Sequence, residues 1–133
     1  MSEPMVLSDS SEILEGKLED LKTSMKELVE FVKENEPRPI AYAVYLDEGG
    51  TTVTVVQVHP DSASREFHME VAAPEFAKFT ELVRLKSMDV YGTPSEDLLE
   101  KLRRKGQLLG STKLVVHEFH TGFARLGTSA WNP

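Results

Sequence analysis

The sequence predicts an α+β fold of the ferredoxin-like sandwich type, a mixed or antiparallel sheet with its helices on one face. Three observations carry this: helical and β-branched stretches follow one another along the chain, a Gly-Gly turn joins two of the strands, and each long helix has one apolar stripe. With 133 residues, 40% of them hydrophobic and 28% charged, the chain has room for one ordinary core. Residues 1–121 read as a single domain and 122–133 as a C-terminal tail.

Met5 to Glu15 leaves room for a strand ahead of the first helix. From Gly16 to Glu36, Leu18, Leu21, Met25, Leu28, Val29 and Val32 recur at helical spacing, with Lys17, Glu19, Asp20, Lys22, Lys26 and Glu30 around the rest of the cylinder. Pro37 and Pro39 end that helix. Ile40–Leu46 and Thr51–Val58 then form two strands, and Asp47-Glu48-Gly49-Gly50 between them predicts an antiparallel hairpin. Both strands are apolar at consecutive positions, as in Tyr42-Ala43-Val44-Tyr45-Leu46 and Val55-Val56, which predicts cover on both faces. Asp61 to Ala72 reads as a second helix. Pro74–Leu85 resumes helically on Phe76, Phe79, Leu82 and Val83, and Lys86–Tyr91 follows as a short strand. After Gly92-Thr93-Pro94-Ser95 a further helix carries Leu98, Leu99, Leu102, Leu108 and Leu109 and stops at Gly110. Lys113–Phe119 is the last strand, and the tail holds the single tryptophan, Trp131. Helices on one face leave the other sheet face bare, so a second copy of the chain is expected to cover it as a homodimer.

The net charge of −7 opposes a phosphate backbone, and nothing more basic than Arg103-Arg104-Lys105 offsets it, so nucleic acid is not expected as a partner. There is no cysteine, hence no disulfide framework, thiolate nucleophile or Cys-ligated metal, and a reducing cytoplasm suits the chain. The acidic N-terminal stretch lacks the pattern of a signal peptide, and no run approaches the ~18 apolar residues of a membrane span. No Gly-rich phosphate loop or nucleophile elbow is present, which disfavours phosphoryl transfer and hydrolysis.

Candidate chemistry gathers where Val53–Val58 runs into His59-Pro60-Asp61 and the helix carrying His68. His59 reads as a general base oriented by Asp61, or as a solvated residue beside a helix-capping aspartate. His68 reads as a ligand-facing imidazole or as a buried structural one. Tyr42 and Tyr45 lie on opposite faces of their strand, so at most one lines a pocket within the subunit. Gln57 needs a partner in a ligand, a water or the opposite subunit, the last being favoured, while Arg65 and Arg84 could steer an anionic substrate but, as lone helix arginines, are expected in solvent. His117 and His120 face opposite sides of a regular strand, so no metal site is expected.

Glu15-Gly16-Lys17-Leu18-Glu19-Asp20-Leu21, Asn35-Glu36-Pro37, the strand Tyr42-Ala43-Val44-Tyr45-Leu46-Asp47, and His68-Met69-Glu70-Val71 before Pro74-Glu75-Phe76 resemble the dimeric α+β barrel superfamily, in particular its antibiotic biosynthesis monooxygenase-like domains. The resemblance covers Met5 to Tyr91. His59 stands where such domains often have an aromatic, the histidine-to-proline spacing is longer, and the helix and strand after Gly92 lie outside the usual module. What the resemblance implies is a pocket between sheet and helices in each subunit, with His68 and His59 as catalytic candidates. One of Tyr42 and Tyr45, with Gln57, Phe67 and Asp61, would line it, around a small apolar or aromatic molecule. If the protein is an enzyme, the resemblance implies cofactor-independent monooxygenation of an aromatic or enolic substrate, in which a base forms a carbanion that itself reduces oxygen. The alternative is a non-catalytic dimeric module for sensing, binding or assembly.

Overall fold

The computed structural model describes residues 4–111 and 113–125; Trp131 and the rest of the predicted tail beyond Arg125 lie outside them. The first strand is realised as β1 (Met5–Ile13), followed by α1 (Leu18–Asn35), β2 (Ala41–Leu46), β3 (Thr52–His59) and α2 (Ser62–Val71). A one-turn α3 (Ala73–Phe76) and a 3₁₀ turn (Ala77–Glu81) lead into β4 (Val83–Tyr91), and α4 (Glu96–Leu109) and β5 (Leu114–His117) complete the order. The sheet runs β2-β3-β1-β4-β5; β1 pairs antiparallel with β3 and β4, β2 antiparallel with β3, and β5 parallel with β4. The helices cover one face of this mixed sheet.

The hairpin closes through Asp47, whose carboxylate accepts from the Thr51 and Thr52 amides at 2.7 and 2.9 Å, while Gly50 takes the positive φ that the turn requires. Inward side chains alternate with period two along β1 and β3, and along β4 on either side of a one-residue shift at Lys86: Met5, Leu7, Val53, Val55, Val83, Leu85, Met88 and Val90 are buried on the face that meets Leu21, Leu28 and Val32 of α1. Leu98, Leu102 and Leu109 bring α4 into the same core.

Two predicted boundaries move. The helix expected over Pro74–Leu85 ends at the 3₁₀ turn, because Val83 and Leu85 face inward from β4, and a register shift between Ser10 and Ser11 opposite Lys86 interrupts the alternation that would have marked the strand. The last strand is shorter than Lys113–Phe119, ending at His117. Within one chain the outer face of β2 and β3 is left uncovered: buried and half-buried positions alternate along β3, and Tyr45 of β2 is 57% exposed.

Candidate functional site

The candidate site lies where β3 ends, α1 ends and β2 begins. Asp61 caps α2, accepting the Ser64 amide at 2.9 Å, and pairs with Arg38. That cap sets the first turn so that Ser64, Arg65, His68 and Met69 all face the sheet. His59 and His68, both fully buried, come within 6.3 Å of one another, centroid to centroid.

Their surroundings differ in kind. His59 is held at both nitrogens: Ser64 Oγ lies 2.8 Å from Nδ1 and Gln57 Oε1 lies 2.9 Å from Nε2. Since an amide oxygen only accepts, Nε2 carries the proton and Nδ1 accepts from the Ser64 hydroxyl. Burial and the Arg65 cation push this imidazole down to about 3, so it stays neutral. Gln57 thus finds its partner within the subunit, which corrects the expectation of a contact across a dimer.

His68 has one free edge. Its Nδ1 sits 2.9 and 2.8 Å from the two Glu36 carboxylate oxygens, whereas Nε2 is buried with no partner among the described residues. Tyr42 and Phe76 pack edge-on to the ring at 5.3 and 5.7 Å. Burial, reinforced by Arg65, Lys105 and His59, holds His68 far below the usual imidazole range. Burial likewise pushes the Glu36 carboxyl up to about 7, against the pull of Arg65. The pair is therefore a buried hydrogen bond between a neutral imidazole and a carboxyl poised near neutrality, not a fixed ion pair.

Glu36 and Arg65 are not among the residues the sequence singles out for the pocket. Glu36 caps α1 in an extended conformation (φ −128°, ψ 99°), which Pro37 imposes on the residue before it, and this turns its side chain away from the helix surface and inward. Arg65, expected in solvent, is buried; it lies three residues before His68 and shares its inward helix face. Among the residues expected to line the pocket, Tyr42 stands against His68. Tyr45 projects from the opposite sheet face, and Phe67 is 42% exposed because α2 turns its neighbours inward instead. His117 stacks on Tyr91 at 4.4 Å on the outer sheet face and bonds Asp89 at 2.9 Å, while His120 lies beyond the strand. Among the described residues no group of three or more His, Asp or Glu side chains is placed to hold a metal ion.

No protein-family model and no curated relative matches the sequence. Solved structures do match. MupZ from Pseudomonas fluorescens superposes with a TM-score of 0.73 over 92% of this chain and 95% of its own, at 21% identity. A protein named as a "putative antibiotic biosynthesis monooxygenase" from Caulobacter crescentus CB15 matches at a TM-score of 0.59 over 67% of this chain and 86% of its own, at 12% identity. Another so named, from Chloroflexus aurantiacus J-10-fl, gives 0.56 over 65% and 89%, at 14% identity. This chain shares the α+β fold of these structures, the two named as putative antibiotic biosynthesis monooxygenases among them. Shares of 65 and 67% match in length the span from β1 to β4, whereas 92% cannot be reached without α4 and β5, so the likeness to MupZ takes in the added helix and strand as well.

Proposed function

We propose that the interior between sheet and helices binds a small, largely apolar or aromatic molecule, and that His68 acts on it as a general base positioned by Glu36. The observation that carries this reading is the unpartnered Nε2 of a buried histidine whose other nitrogen is fixed by a carboxylate. With Glu36 ionised, Nδ1–H donates to it and Nε2 offers a lone pair to a substrate proton. The imidazolium that forms is then stabilised by the same carboxylate. His59, with both nitrogens engaged, positions Ser64 and Gln57 rather than touching substrate.

The resemblance to monooxygenase-like domains suggests the fate of an enolisable aromatic once its proton is removed: the carbanion reduces dioxygen, so that a methylene and O2 become a carbonyl and one water, with no cofactor. Anthrone, whose enol is aromatic, is the probe. The wild-type chain is expected to accelerate oxygen uptake with anthrone. His68→Ala should abolish the acceleration while keeping the folded far-UV spectrum, and His68→Ala with His59→Ala should do no more. Acceleration unchanged in His68→Ala would sink the assignment.

A cavity of about 40 Å³ beside Tyr42 and Phe76 favours a second reading, a non-catalytic binding module, for which no variant of His68 would alter any turnover. In either case we propose that a second copy covers the outer sheet face and that the chain works in the cytoplasm. No helix among the described residues is long and apolar enough to cross a membrane.

A further inference from the structure

Arg65 is 1% exposed, and its Nε and Nη1 are buried with no hydrogen-bond partner among the described residues. A guanidinium has five donor hydrogens and no acceptor, so donors left unanswered in the interior destabilise the fold. A second cation lies nearby. The Lys105 side chain, from α4, is 9% exposed, with Nζ 3.7 Å from Asp9 Oδ2 and 4.6 Å from the centre of the Phe76 ring. Burial lowers the pKa of both cations, and Asp9 of β1 draws both back up, as do Tyr42 and Glu36 for Arg65. Two cations thus face Asp9 and a Glu36 that burial holds near neutrality, beside two neutral histidines. Two nitrogens of Arg65 are left without an acceptor.

A small cavity opens beside Lys105. Asp9, Ser11, Tyr42, Phe76 and Lys105 help to line the inner cavity of about 40 Å³. Tyr42 is also a wall of an adjoining hollow of about 200 Å³ that includes Glu36, Ile40 and Ala41. We propose that Arg65 and Lys105 form a buried subsite for the carboxylate of a small aromatic or apolar acid whose body lies against Tyr42 and Phe76. This rests on the reading that His68 works on a ligand in the same interior, and it names that ligand's class. A single carboxylate accepts from the free donors of Arg65. A phosphate dianion would meet the Asp9 carboxylate beside Lys105.

Benzoate, its neutral isostere benzamide and inorganic phosphate test the subsite on the full chain, by titration and by the ¹H–¹⁵N signals of arginine side chains. Benzoate is expected to shift the Arg65 Nε–H signal and to bind on the order of tenfold or more tightly than benzamide. Arg65→Met and Lys105→Met should each weaken benzoate by a similar factor. Equal binding of benzoate and benzamide, phosphate binding in place of benzoate, or undiminished affinity in Arg65→Met overturns the proposal. An unmoved Arg65 signal in the wild type does so without any variant. His68→Ala separates this subsite from the acid–base reading. Benzoate bound by a chain that shows no anthrone oxidation upholds the subsite alone, and oxidation without benzoate binding removes the subsite alone.

Discussion

Glu36 decides which way the His68 ring points its proton. As a carboxylate it accepts from Nδ1–H and leaves Nε2 as a base; as a carboxylic acid it donates to Nδ1 and leaves Nε2 a donor. The groups facing it are His68, Arg65 and Tyr42, with His59, Asp9 and Lys105 further round the cluster. Base-driven turnover is therefore expected to rise with pH through about 7, and Glu36→Gln should lower it and flatten that limb of the profile. Stability should move the other way. The folded state holds the Glu36 proton more tightly than an ordinary glutamate at 4.5, so its contribution is complete below that value and lost as pH rises to about 7. Denaturant unfolding of wild type and Glu36→Gln at pH 5 and pH 8 checks this: the variant should gain on the wild type at the higher pH by on the order of 3 kcal/mol. Arg65→Met should raise the melting temperature, because it replaces an unanswered interior charge with apolar volume. His68 is legible from its place in the helix and the motif around it. Arg65 is legible in spacing but not in chemistry, since arginines on helices usually reach solvent. Glu36 meets His68 across 32 residues of chain, a contact no local pattern encodes.

At the scale of elements, β3, α1 and α4 are readable because hydrophobic period and punctuation agree in each. Ser95 caps α4 through the Leu98 amide at 3.0 Å, and Gly110 ends it at a positive φ of 103°, as Ser-x-x-Leu and a terminal glycine predict. The stretch from Pro74 to Leu85 misleads because Phe76, Phe79 and Val83 keep a helix-like spacing while belonging to three different elements. Gly106, within α4, has a stricter role than its neighbours. Its carbonyl accepts from both the Gly110 and Ser111 amides, and a Cβ there would stand 2.3 Å from the Ser111 carbonyl oxygen. Gly106→Ala is expected to destabilise the protein by about 1–3 kcal/mol in spite of alanine's helix propensity, a reversal that thermal or urea unfolding would detect.

Across the whole molecule the sheet has two unlike faces. The inner one carries the core and the charged cluster. The outer one carries half-buried Val6, Val56 and Val58 on its central strands, with Tyr45 and Tyr91 exposed near them. Such a surface suits a second sheet. Sedimentation at micromolar concentration should give a dimer for the wild type and a folded monomer for Val56→Lys, and a monomeric wild type would refute the pairing. The inward face receives its second cation only with α4, since Lys105 arrives from the segment after Gly92 that the shorter structural matches do not need to include. The extra helix is thus more than a buttress. Three of the four charged groups at the centre, Asp9, Glu36 and Arg65, belong to the four-strand module, and the fourth is lent to it by an appendix.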